Sequence, residues 1–86
     1  MPTISSFYGI VIRMYHDDHP RPHFHAYCGG QSASISIDTL EVLNGRVPRR
    51  ALTLILEWAS EHRTELRENW TLAEAHRTLK TIDPLI

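Results

Sequence analysis

Pro22-His23-Phe24-His25-Ala26-Tyr27-Cys28-Gly29-Gly30-Gln31-Ser32-Ala33-Ser34-Ile35-Ser36 is the stretch that decides the fold. Gly29-Gly30 between two alternating segments reads as a two-residue hairpin turn of type I′ or II′, because glycine reaches positive φ without a Cβ clash. That turn sets a register in which Cys28 faces Gln31, Ala26 faces Ala33 and Phe24 faces Ile35. These six side chains share one face, since residues alternate along a strand. The other face pairs Tyr27 with Ser32, His25 with Ser34 and His23 with Ser36. One face is mostly apolar and turns inward. The other presents two histidines, a tyrosine and three serines.

Before this hairpin, Phe7 to Tyr15 reads as a first strand, rich in β-branched and aromatic residues. Tyr8, Ile10, Ile12 and Met14 lie on one side of it, and Phe7, Val11, Arg13 and Tyr15 on the other. His16 to Pro22 reads as a loop stiffened by Pro20 and Pro22. After the hairpin, Leu40 to Leu43 reads as a short fourth strand and Asn44-Gly45 as a second turn. A long helix is expected from about Pro48 to Asn69. Leu52, Ile55, Leu56, Ala59, His62 and Leu66 form its apolar stripe, widened by Leu54 and Trp58. Thr71-Leu72-Ala73-Glu74 has the form of a capping box, so a short second helix is expected to start there. Strands followed by helices predict an α+β fold. It is an antiparallel meander of three to four strands, with one long and one short helix packed on the sheet.

The 86 residues suit a single domain, 1–86, with a modest core that a partner or a second copy would help to complete. A formal charge of -1 supplies no global basic field for nucleic acid. One cysteine excludes an intrachain disulfide and suits a reducing cytoplasm. The first residues lack a signal-peptide pattern, and no segment is long enough to span a membrane. Ile82-Asp83-Pro84-Leu85-Ile86 ends the chain with apolar residues, and Leu85 and Ile86 are expected to dock in a groove.

Several segments together resemble a known family. They are Met1-Pro2-Thr3-Ile4-Ser5 with Phe7-Tyr8-Gly9-Ile10, Pro22-His23-Phe24-His25-Ala26, and Leu40-Glu41-Val42-Leu43 with Asn44-Gly45. Ala51-Leu52, Leu56-Glu57-Trp58-Ala59 and Glu68-Asn69-Trp70 complete the set. The family comprises short bacterial and phage-like proteins defined as a domain of unknown function. The resemblance implies one component of a toxin–antitoxin-like two-gene module, partnered by a small protein encoded in the adjacent gene. It implies no catalytic residues, so site assignments rest on the residues themselves.

Three constellations carry chemistry. His23 and His25, two apart on one strand, project from one face. With His19, or with His16 or Asp18, they are candidate ligands for a divalent metal such as zinc. The same His23 and His25 are candidate acid–base groups of a metal-free ribonuclease, with Arg13 or Arg21 on the phosphate. Set against both is a plain reading, in which the histidines are polar residues of a half-buried hairpin bonded to Ser34 and Ser36. Arg46, Arg49 and Arg50 surround the start of the long helix, where positive side chains oppose the macrodipole and would hold a phosphate or an acidic partner. Neutralisation by Asp38 and Glu41 is the plain alternative there. Trp58 and Trp70 read as packing residues, His62 as a hydrogen-bonded core histidine, and Cys28 as inert packing. The leading expectation is a small cytoplasmic module component with no assigned activity. A histidine-dependent ribonuclease or metal enzyme is one alternative, and a regulator binding RNA or DNA is another.

Overall fold

The computed structural model describes residues 2–16 and 21–86. Among the described residues the chain forms five strands, β1 (Thr3–Phe7), β2 (Ile10–Arg13), β3 (His23–Cys28), β4 (Gln31–Ser36) and β5 (Val42–Arg46). Helices α1 (Arg49–Glu61) and α2 (Arg63–Glu74) follow. The strands pair in sequence order, each antiparallel to the next, so the fold is an α+β meander.

The β3–β4 hairpin has the register expected from Gly29-Gly30, with Phe24 opposite Ile35, Ala26 opposite Ala33 and Cys28 opposite Gln31. Phe24, Ala26, Ala33 and Ile35 are buried, and α1 covers this inner face with Ala51, Ile55, Trp58 and Ala59. His23, His25, Ser34 and Ser36 lie on the opposite face, as expected. At the far end of that face His23 and Ser36 are themselves buried.

Several expectations are corrected. Phe7 to Tyr15 is not one strand, and the sheet has five strands rather than three or four. Tyr8 and Gly9 both take positive φ, 49° and 78°, so the chain reverses there and Phe7 returns opposite Ile10. Two central residues at positive φ match the type I′ hairpin turn, whose twist suits the flanking strands. Phe7 consequently joins the inner face while Tyr8 stands exposed at the turn.

Asn44-Gly45 is not a turn either. The reversal lies at Asp38 to Leu40, where Leu40 has φ 63° and donates its N–H to the Ser36 carbonyl. Asn44 and Gly45 continue β5 opposite Ser34 and Ala33. Gly45 is needed for a different reason. At φ 74°, a Cβ there would lie 2.3 Å from the Ser32 carbonyl oxygen. Gly45→Ala is therefore expected to cost about 2 kcal/mol or more, against about 1 kcal/mol for Gly9→Ala. Gly9 has a similar φ of 78° but open space around it. Denaturant midpoints of the two variants check this; equal losses would remove the steric account of Gly45.

The long helix is broken at His62, whose φ of -126° lies outside the helical region. His62 ends α1 by donating its N–H to the Ala59 carbonyl, and it opens α2 by accepting from the Leu66 N–H. Its Nδ1 bonds Glu65 Oε1 at 2.6 Å, which anchors the new first turn. The Thr71–Glu74 motif does not start a helix. Instead α2 runs through it, and Thr71 Oγ1 donates back to the Arg67 carbonyl. The helix ends there because His76, at φ 56°, donates to the Ala73 carbonyl while Arg77 donates to that of Leu72. That is the paired closure of a Schellman motif, with histidine where glycine is usual.

The last residues pack back on the core. Ile82 N–H donates to the Ile4 carbonyl at 2.7 Å, and Trp58 Nε1–H donates to the Asp83 carbonyl at 2.8 Å. Asn69 exchanges two hydrogen bonds with the Lys80 backbone. Ile82 and Leu85 are buried as a result, and Ile86 is left exposed.

Candidate functional site

Strand register places the outer face row by row. Ser6, Val11, Tyr27, Ser32 and Arg46 lie abreast, and beside them Thr3, Arg13, His25, Ser34 and Asn44. His23 and Ser36 follow. Arg13, His25, Tyr27 and Ser34 are half-buried, in contrast to the fully buried side chains under α1.

The rings on this face form a column. Tyr15 stacks on His25 with centroids 4.6 Å apart and planes within 3°. Tyr27 lies on the other side, 6.5 Å from His25, and the Arg13 guanidinium sits 5.0 Å from the Tyr27 centroid. That cation–π distance is within the favourable range. Arg13 Nε has no acceptor among the described residues. His23 lies edge-on to His25 at 5.0 Å and borders Trp70 at 5.2 Å. Beyond Trp70 come His16 and His76, whose rings are 5.8 Å apart.

Hydrogen bonds orient the two central imidazoles. His23 Nδ1–H donates to the Arg21 carbonyl at 2.7 Å, which leaves Nε2 as the basic nitrogen. His25 Nδ1 shares a 3.2 Å hydrogen bond with Ser34 Oγ. The carbonyl partner fixes the protonated nitrogen of His23 alone, since a hydroxyl can either donate to or accept from His25; Arg13 lies on the same face. Arg21 lies two residues before the strand.

Of the arginines near the helix start, Arg46 joins this face and Arg49 and Arg50 do not. Arg46 lies on the outer face at β5, whereas Arg49 and Arg50 lie in the first turn of α1. Asp38 does not neutralise them, because its carboxylate meets Arg67 at 3.2 Å and its carbonyl accepts from Arg63. Among the described residues, no three His, Cys, Asp or Glu side chains are grouped to hold a metal ion. His19, the third ligand expected from sequence, and Asp18 lie outside the described residues.

A second feature lies at the opposite end of the sheet. A groove of about 500 Å³ is lined by Tyr8, Ile10, Cys28, Leu54, Leu85 and Ile86, with Arg50 and Glu57 at its rim. Sequence reading expects a groove for Leu85 and Ile86, of which Leu85 is buried and Ile86 stays exposed, but it misses Tyr8, which reads there as part of a strand. The Tyr8-Gly9 pair is the signal that finds the turn.

A family profile, described as Domain of unknown function (DUF4160), matches residues 9–71. The chain belongs to this DUF4160 family. The span matched to DUF4160 holds β2 to β5, α1 and most of α2, and so the whole of the Arg13–His23–His25–Tyr27 face. Strand β1 and the tail that walls the groove lie outside it. No curated protein and no solved structure matches the chain. Among the described residues of this DUF4160 chain, no helix is long and apolar enough to cross a membrane.

Proposed function

We propose that the chain is one component of a cytoplasmic, toxin–antitoxin-like two-protein module, and that it docks its partner protein in the groove beside Tyr8. The observation that carries this reading is Tyr8 itself. It is 65% exposed and held at φ 49°. A non-glycine residue at such a φ costs on the order of 1 kcal/mol, and an exposed ring recovers little of it within the fold. With Ile86 beside it, the ring gives the groove an apolar edge of the kind that anchors an interface. Co-expression with the small protein of the adjacent gene is expected to yield a stable complex. Tyr8→Asp and Leu54→Asp are each expected to weaken it at least about ten-fold, since each puts a charge into a desolvated contact. A partner that fails to co-purify, or one retained equally by both variants, rejects the reading. Self-association lost in the same variants would assign the groove to a second copy of this chain instead.

A second reading is favoured by the His23–His25 pair, a histidine-dependent ribonuclease in which one imidazole takes the 2′-hydroxyl proton and the other donates to the leaving oxygen. Arg13 or Arg21 would meet the phosphate. RNA cleavage abolished by His25→Ala in otherwise folded protein supports it, and no cleavage by the wild type removes it. The metal-dependent form of this chemistry would draw on His19, His23 and His25. Calorimetry with zinc on chelator-stripped protein tests that form, and the absence of binding heat at neutral pH excludes it.

A further inference from the structure

We infer that the outer face of the sheet binds single-stranded RNA, with Arg13 and Arg46 meeting phosphates and Tyr27 extending the stack to a base. This inference rests on neither reading above, because it needs no partner protein and no turnover.

Charge segregation is the first support. The chain is formally -1, yet the carboxylates are not spread evenly. The five strands contain no Asp or Glu at all. Glu57, Glu61, Glu65, Glu68 and Glu74 lie on the helices, Asp38 and Glu41 on the β4–β5 turn, and Asp83 on the tail. Asp17 and Asp18 lie outside the described residues. Among the described residues, the strands therefore offer Arg13 and Arg46 to a ligand with no strand carboxylate between them. Net charge hides this polarity, and local field rather than net charge steers a polyanion to a face.

The stacked column is the second support. Nonspecific recognition of single strands combines a cationic track with aromatic faces on which bases stack. Here Tyr15 stacks on His25 at 4.6 Å, Tyr27 lies 6.5 Å from His25, and the Arg13 guanidinium lies 5.0 Å from the Tyr27 centroid. The row from Ser6 through Tyr27 to Arg46 crosses five strands, so it spans roughly 19 Å at the usual inter-strand spacing. A duplex has its bases stacked internally and offers this column nothing. The hydroxyls of Ser6, Ser32 and Ser34 and the Asn44 amide supply donors and acceptors of the kind that read a 2′-hydroxyl. That favours RNA over DNA.

Fluorescence anisotropy with a labelled 12-nucleotide single-stranded RNA of mixed sequence tests this, with gel analysis confirming that the probe stays intact. Binding is expected at micromolar protein in low salt, and it should weaken as salt rises. Arg13→Gln is expected to lower affinity about ten-fold and to flatten the salt dependence by about one phosphate contact. Tyr27→Leu keeps apolar bulk but removes the stack, and should also cost about ten-fold without changing the salt slope. Lys80→Ala, beside Glu65 and Glu68 of α2 rather than in the strand rows, should bind as wild type. If either outer-face variant loses its cooperative unfolding transition, exposed Arg46→Ala serves instead, with an expected loss of about three-fold and a shallower salt slope. Absence of binding at low salt overturns the inference. So do equal affinities of wild type and the folded variants, and so does binding of the matching duplex or single-stranded DNA as tight as that of the RNA.

Discussion

Trp58→Ala is expected to leave much of the chain unfolded in water at 25 °C. Trp58 is the largest of the fully buried side chains among the described residues. Its ring meets Phe7 at 5.5 Å, Phe24 at 5.9 Å and His62 at 5.5 Å. It thus touches β1, β3 and the helix break at once. Truncating a buried tryptophan costs about 3–5 kcal/mol, while a chain of this length is stabilised by roughly 4–13 kcal/mol in total. The loss is comparable to the lower half of that range. Trp58→Phe separates packing from hydrogen bonding. It keeps an aromatic ring against Phe7 and Phe24 but removes the Nε1–H that reaches the Asp83 carbonyl. An expected loss of about 2 kcal/mol follows from the smaller ring and the unpaired carbonyl. Urea unfolding followed by circular dichroism measures both. A Trp58→Ala loss under about 1 kcal/mol would mean that the core does not centre on this ring.

The hairpin that carries the histidines was legible from sequence because two independent signals agree. Gly29-Gly30 sets the turn, and the alternation of serine with apolar residues in β4 sets the face. Elsewhere one signal stood alone or pointed the wrong way. Alternation continues through Phe7, Tyr8 and Gly9, so a strand-period reading cannot see a reversal made by positive φ at a tyrosine. The helical stripe likewise continues through His62, because α1 and α2 both bury their apolar residues. The break depends on one backbone dihedral and on the Glu65 contact. At Thr71 a capping sequence occurs in the last turn of a helix, where the preceding turns already satisfy the backbone N–H groups. Asn44-Gly45 shows the same ambiguity, since a glycine required by close backbone approach looks identical to one required by a turn.

The candidate site divides similarly. That His25 and Tyr27 share a face followed from alternation alone; that Arg13 joins them depends on the β2–β3 register, which no tight turn in the sequence sets. Their stacking does not follow from alternation, because side-chain direction along neighbouring strands depends on twist and on rotamers. The arginines near the helix start were close in sequence yet fall on separate surfaces. Arg46 still belongs to a strand, and the chain turns between it and Arg49.

Asn69→Asp is expected to destabilise the fold by about 3 kcal/mol at pH 7, and to do so less at acid pH. Asn69 is almost fully buried at 1% exposure. Its Nδ2–H donates to the Lys80 carbonyl at 2.8 Å, and its Oδ1 accepts from the Lys80 N–H at 2.9 Å. An amide satisfies both backbone groups, whereas a carboxylate satisfies only the N–H. Its second oxygen would face a carbonyl, and a charge would be buried without a partner. Both effects favour the protonated acid, so the variant's carboxyl would have a folded pKa above its unfolded value near 3.9. The sign then follows from linkage. The folded state holds the extra proton more tightly, so the penalty shrinks as pH falls through the raised value and is smallest below the unfolded one. The protonated acid can also donate to the Lys80 carbonyl and restore the lost bond. Asn69→Leu lacks both backbone contacts at every pH and should show a constant deficit. The functional consequence lies in the tail. Lys80 is the first of the points that tie residues 80–86 down, before Ile82 on Ile4 and Asp83 on Trp58. Releasing it loosens Leu85 and Ile86, which wall the groove beside Tyr8. Asn69→Asp should therefore weaken partner docking at pH 7 and regain it toward pH 5, provided the partner itself is stable there. Unfolding free energies of wild type and both variants between pH 4 and 8 check the stability part. A pH-independent gap for Asn69→Asp would show that the Lys80 contact does not hold the tail.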